Sequence, residues 1–401
     1  MVMKRRNLIQ LLFFILIISF LIFNDICLAM FNEKLKGTYL MTTIGSCEIY
    51  NYNTQDDEVA DSWEDTYLLS FDGEGEITFL ENNGKPFSYP PMPYSLDEHG
   101  IMSENNVPIG IVSSDGSLFS FVSTDDGPSR DDLVIHIGVK TSSGMSNASL
   151  QGTYLMTTVG TKEFYNQNFD DEEVVDAWAD TYLLSLDGNG RISILEENGK
   201  PASYPQMPYK VNENGIMTEN DVPIGIVNFD GSLFSFVGSD GGPLEDDLVI
   251  HIAIKTSSSM SNANLKGTYL MTTVGYKEIY NHNTQDDEVV DSWEDTYLLS
   301  FDGEGEITFL ENNGKPCSYP PMPYSVNENG IMTENGVPIG IVTSDGNIFS
   351  FIGSTDDNSL EKDLVIHLGI RISNRITGDI NSDGIINITD VLLMLKNLTE
   401  K

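Results

Sequence analysis

The sequence predicts an all-β protein built from three tandem copies of a small antiparallel β-barrel, followed by a short loop and helix. Two observations carry this expectation. The chain repeats itself at a spacing of 115 residues, and each copy is a series of short apolar segments separated by Asp/Asn/Gly turns.

The repetition is explicit. Gly37-Thr38-Tyr39-Leu40-Met41-Thr42-Thr43 returns from Gly152 and again from Gly267, and Trp63, Trp178 and Trp293 keep the same interval. The third copy gains one residue near its end, so His136 and His251 are followed by His367. Copies are assigned to residues 35–141, 150–256 and 265–373. Ser/Asn/Ala-rich segments over 142–149 and 257–264 read as flexible linkers. A unit of this size is long enough to bury its own core, so the expectation is three separate bodies on a string.

Inside the first copy, Gly37 to Ile44 opens as a strand. Tyr67 to Phe71 and Glu76 to Leu80 flank the turn Asp72-Gly73-Glu74-Gly75, which predicts a hairpin. Tyr94 to Leu96 and Ile101 to Ser103 flank a second turn, and Ile109 to Val112 and Ser117 to Val122 a third. Leu133 to Lys140 closes the copy. Between Asp56 and Glu64 the spacing of Val59, Ala60, Trp63 and Tyr67 predicts one short helix. About eight sequential antiparallel strands close most simply into a barrel, lipocalin- or avidin-like in architecture, with β-sandwiches as the alternative.

The ends of the chain carry other signals. Lys4, Arg5 and Arg6 precede an apolar run from Leu8 to Phe23, and small residues follow at Cys27 and Ala29. This is the layout of a signal peptide over residues 1–29, which places the protein outside the cell, with no membrane span after cleavage. The whole chain has 61 acidic against 21 basic residues, a net charge of −40. That excess repels nucleic acid and anionic surfaces and excludes nucleic-acid binding. Cys47 and Cys317 are matched by Lys162 and Lys277, and by Phe87 and Ala202, so no disulfide belongs to the repeat itself.

Near the C-terminus, Asp379, Asn381, Asp383, Asn387 and Asp390 fall at positions 1, 3, 5, 9 and 12 of a twelve-residue loop. Gly384 stands at the sharp turn, and the Ile385 carbonyl would be the ligand at position 7. Hard oxygens at this spacing suit Ca2+. Val391, Leu392, Leu395 and Leu398 then make an apolar helical stripe. Gly378-Asp379-Ile380-Asn381, Asp383-Gly384, Ile386-Asn387 and Thr389-Asp390, with that helix, resemble one repeat of a type I dockerin over residues 376–401. The resemblance implies that Ile388 and Thr389 face a cohesin-type protein partner. Two departures accompany it: the family carries two such repeats where this sequence shows one, and Ile388 stands where a hydroxyl residue is common.

Within the repeats the candidate ligand-binding residues are aromatic. Tyr89-Pro90-Pro91-Met92-Pro93-Tyr94 recurs as Tyr204 to Tyr209 and Tyr319 to Tyr324. Tyrosines on a rigid proline segment can stack on a carbohydrate ring or grip a peptide. With Trp63, Trp178 and Trp293 they form the candidate surface; the rival reading makes them a plug over one barrel end. The acid-rich stretch from Asp56 to Asp65 reads as a solvated helix face rather than a second metal site or a catalytic carboxylate pair. The recurring histidine reads as an outward strand residue. No catalytic residue is assigned, and three functions stay open: a non-catalytic binding protein, an enzyme or accessory subunit of an extracellular polysaccharide-degrading assembly, and a structural spacer.

Overall fold

The computed structural model describes residues 31–51, 56–104, 107–126, 130–166, 171–239, 245–281, 286–354 and 361–372. The segment read as a signal peptide and the predicted calcium loop with its helix lie outside the described residues. In the first repeat the strands are β1 (Gly37–Asn51), β2 (Asp56–Phe71), β3 (Glu76–Asn82), β4 (Lys85–Pro86) and β5 (Met92–Pro93). They continue with β6 (Ile101–Glu104), β7 (Val107–Val112), β8 (Leu118–Asp126) and β9 (Arg130–Lys140). They make one antiparallel sheet in the order β4-β3-β2-β1-β9-β8-β7-β6, with β5 added beside β3. The other two repeats build the same sheet over Gly152–Lys255 and Gly267–Arg371.

All-β repeats and the three predicted hairpins are therefore what the protein has, but the sheets are open. The edge strands β4 and β6 do not pair with each other. Instead the sheet curls: Ile77 on β3, Met102 on β6, Val112 on β7 and Phe119 on β8 share one cluster with Tyr39, Met41 and Phe71. Each repeat thus has a core on its concave face. Rings meet there edge to face, with Tyr39 and Phe71 centroids 5.1 Å apart and Phe71 and Tyr94 also 5.1 Å apart.

The opposite, convex face decides the architecture. Cross-strand pairing sets Leu40 against Val139 and Ile44 against Ile135, with Leu118 and Val122 beyond them. A lone barrel would leave this apolar face in water. Here it packs against the same face of the other two repeats, and Ile135, Ile250 and Ile366 are all fully buried in one cluster drawn from the whole chain. The central strands are consequently buried on both sides, from Tyr39 to Glu48 without interruption.

Hydrogen bonds close the three sheets into a ring. Thr42 Oγ1 meets Ser235 Oγ at 2.8 Å, Thr157 meets Ser350 at 2.6 Å, and Thr272 meets Ser120 at 2.6 Å. Each bond links a repeat to the next, and the third returns to the first. Three separate bodies on flexible linkers is thus corrected to one body with a pseudo-threefold axis. The linkers are built in as well: Ser142 and Met145 donate their N–H groups to Asn214 and Glu213, and Leu150, in the short 3-10 turn that follows, is fully buried.

The predicted helix is also corrected. Asp56 to Glu64 belongs to β2, which pairs with β1 along its length, interrupted by one bulge at Cys47/Glu48. Ser62 and Thr66 turn to the axis, while Trp63 and Tyr67 turn to the concave side with Gly45 and Met41. A short helix over Asp56 to Glu64 would have left the eight residues from Ile44 to Asn51 of β1 without a partner on this side, and ladder pairing outweighs the local spacing.

Candidate ligand-binding face

The proline segment explains why one tyrosine is displayed and the other hidden. The Tyr94 N–H donates to Gly75 O at 2.9 Å and its hydroxyl to Asn32 O at 3.1 Å, while its ring packs into the concave core. Tyr209 and Tyr324 are fixed in the same way on Asn147 and Asn262. These three rings are buried. The segment before them runs along β3, held by β5 and by the Phe87 N–H on Leu80 O at 3.0 Å. Proline fixes its extended course. Tyr89, Tyr204 and Tyr319 are left 52%, 48% and 49% exposed.

In the first repeat Tyr89 lies on an aromatic bed. Its ring stacks at 13° to Phe87, meets Phe79 edge to face at 5.6 Å, and Phe79 in turn meets Tyr67 at 5.7 Å. The bed is set by a polar network beneath it. The Tyr67 hydroxyl donates to Asp65 Oδ2 at 2.8 Å, and Asn83 Nδ2 donates to Asp65 Oδ1 at 2.7 Å. Asn83 sits at φ 47°, the left-handed turn position, and its side-chain oxygen accepts from the Thr66 N–H. Burial, with the Asp65 carboxylate beside it, pushes the Tyr67 phenol far above its ordinary value, so it stays a neutral donor.

Trp63 is not brought to this bed. It covers Gly45, where a Cβ would stand 2.5 Å from the indole, and it lies four residues from Tyr67 along β2, roughly 13 Å. Trp178 and Trp293 cover Gly160 and Gly275 in the same manner. Each is half-buried.

The recurring histidine does not simply face solvent. His136 Nδ1 meets Thr43 Oγ1 at 2.9 Å, Nε2 meets Ser123 Oγ at 3.0 Å, and the ring stacks on Phe121 at 4.3 Å. Burial drives its pKa well below neutrality, and the two atoms it meets are hydroxyls, not a carboxylate that would raise its basicity. Gly238 and Gly353 replace Ser123 in the other copies. The imidazole is a packed neutral group, poorly suited to act as a base. The Asp72 turn is a turn: Asp72 Oδ1 accepts from the N–H groups of Glu74, Gly75 and Glu76. Among the described residues no group of three or more His, Cys, Asp or Glu side chains could hold a metal ion. Cys47 is buried and Cys317 half-buried, and neither is in a disulfide.

The three faces are not equal. From Glu76 to Tyr94 and from Glu306 to Tyr324 the first and third copies differ only in Phe87 against Cys317. The second differs at six places, including Ile194 for Phe79, Glu197 for Asn82, Ala202 for Phe87 and Gln206 for Pro91. A cleft of about 480 Å³ is lined by Glu197, Asn198, Lys200, Ala202 and Tyr204. The Tyr204 hydroxyl donates to Glu197 Oε2 at 2.8 Å across its rim. In the sequence Phe87, Ala202 and Cys317 stand out only as the equivalents of a cysteine; the fold places Phe87 and Ala202 beside the exposed tyrosines.

No family model and no curated protein matches the sequence. Among solved structures, transferrin binding protein B of Haemophilus parasuis is 8% identical, with a TM-score of 0.24 over 84% of this chain and 76% of that one. Transferrin binding protein B of serogroup B Neisseria meningitidis is 10% identical, with a TM-score of 0.24 over 84% and 77%.

Proposed function

We propose that the protein is a secreted, non-catalytic binding protein that holds three tyrosine-bearing faces in one rigid array and takes neutral carbohydrate on them. The observation behind this reading is a half-exposed tyrosine on a proline-stiffened segment in every repeat. An exposed ring flanked by carboxylate and amide side chains suits a sugar, whose C–H face stacks and whose hydroxyls need planar hydrogen-bonding partners. The net charge of −40 disfavours anionic polymers. A fixed array about an axis raises the effective concentration of the second and third contacts on a repeating ligand.

The reading extends to the ends of the chain. The segment over residues 1–29 exports the protein. The loop from Asp379 to Asp390 binds Ca2+ through the side chains of Asp379, Asn381, Asp383, Asn387 and Asp390 and the carbonyl of Ile385, and serves as an attachment to a cohesin-type partner.

The test is a glycan array probed with the purified chain and with a variant carrying Tyr89→Ala, Tyr204→Ala and Tyr319→Ala. Loss of at least tenfold in binding, with an unchanged melting temperature, is expected. Binding that survives the triple change, or no binding by the parent chain, overturns the proposal. Release of reducing sugar from a bound polysaccharide would replace it with the enzymatic reading.

A further inference from the structure

We infer that the second repeat carries a separate pocket that takes a short neutral saccharide, while Tyr89 and Tyr319 are platforms for longer chains. This rests on the carbohydrate reading above and names where discrimination resides. The copies have diverged unevenly. The third repeat has Cys317 in place of Phe87 and differs from the second by Phe309 and Asn312. Over the nineteen residues from β3 to the buried tyrosine, the first and third copies are nearly identical, and the second departs at six positions.

Those departures share a direction. Phe79 becomes Ile194 and Phe87 becomes Ala202, which removes the rings under and beside the exposed tyrosine. Asn82 becomes Glu197, which exchanges an amide for a carboxylate, and Pro91 becomes Gln206, which adds an amide. Gln206 Nε2 already donates to Ser193 Oγ at 3.1 Å, and Glu197 accepts from Tyr204. The second repeat has a cleft of about 480 Å³ with a carboxylate, an amide, an ammonium and one tyrosine ring at its edge. That volume lies in the range that encloses a small ligand. A saccharide ring would stack on Tyr204 and present hydroxyls to Glu197 and Lys200. In the first repeat the Phe87 ring occupies the corresponding place, stacked on Tyr89.

The experiment uses the full chain and two probes, the disaccharide and hexasaccharide of β-1,4-linked glucose, mannose and xylose, followed by titration calorimetry. One disaccharide per chain is expected. Ala202→Phe, which installs the first repeat's own residue, should weaken that binding at least tenfold and leave hexasaccharide binding at the platforms. Glu197→Asn should weaken it several-fold without filling the cleft. The pair Phe87→Ala and Asn82→Glu should raise the stoichiometry to two. Disaccharide affinity unchanged in a folded Ala202→Phe chain overturns the inference, as does disaccharide binding that Tyr89→Ala abolishes. Hexasaccharide binding without disaccharide binding sinks the pocket and leaves the broader reading standing. Absence of binding by both probes sinks both.

Discussion

The convex and concave faces of these sheets are both apolar, yet they answer to different constraints. The convex residues meet their counterparts from other repeats, so a change in one must be matched by another. The concave residues meet only their own repeat, and there the second copy could exchange Phe71 for Leu186, Phe79 for Ile194 and Phe87 for Ala202 without involving its neighbours. The same architecture therefore ties three copies together on one side and lets them specialise on the other.

The strongest way to break this comparison is to cut into the shared core. Ile250→Ala deletes a fully buried side chain in contact with all three repeats' cluster and should cost about 2–5 kcal/mol. The three tryptophans give one reporter per repeat. In chains keeping a single tryptophan, the urea midpoints of all three reporters should fall together with Ile250→Ala. A shift confined to the Trp178 reporter would mean that the repeats unfold as separate bodies.

A second change sharpens the comparison at one interface. Ser46 Oγ meets Ser292 Oγ at 2.8 Å, and Thr161 Oγ1 meets Ser62 Oγ at 2.8 Å. The pair in the corresponding third place is Tyr276 and Ala177, both buried. A large side chain on one repeat faces a truncated one on another, which is compensation across a pseudo-symmetric contact. Tyr276→Thr alone should destabilise by leaving a void, and Ala177→Ser alone by crowding the ring. Together they rebuild the Thr161–Ser62 pair, and the double-mutant coupling should reach about 0.5–3 kcal/mol. Additive effects in thermal unfolding would remove the case for compensation.

The local elements were legible because turns and alternation are short-range. Asp72-Gly73 and the β9 alternation that sends Ile135, Ile137 and Val139 one way and His136 the other could be read directly. The assembly was less legible, although its trace is present. A solitary barrel should show polar residues on its outward face, and Leu40, Ile44, Ile135 and Ile137 are not polar. Trp63 misled because Val59, Ala60, Trp63 and Tyr67 fit a helical period by coincidence with a bulged strand. At the candidate site, Tyr89 was legible as a ring on proline. That Tyr94 is buried depended on contacts far apart in sequence.

The smallest expected effect concerns charge at the inter-repeat contact. Glu48 is nearly buried and accepts from the Ser292 N–H at 2.6 Å and its hydroxyl at 3.0 Å. Burial raises its pKa from the ordinary 4.5 to about 7, with Asp291 adding to the rise against the pull of the Ser292 bonds. The folded chain thus keeps a proton that the unfolded chain releases near pH 4.5. The associated stability is full below that pH and is lost as pH rises through about 7. Glu278, in the equivalent place, is also raised by burial, but Lys362 stands 2.9 Å from it and opposes the rise. Asp131 takes the place of that lysine opposite Glu48. Melting temperatures between pH 5 and pH 8 should therefore fall less in Glu48→Gln than in the parent chain, and Glu278→Gln should change the slope less. Equal slopes in all three chains would show that the carboxylate at Glu48 is no more costly than its paired counterpart.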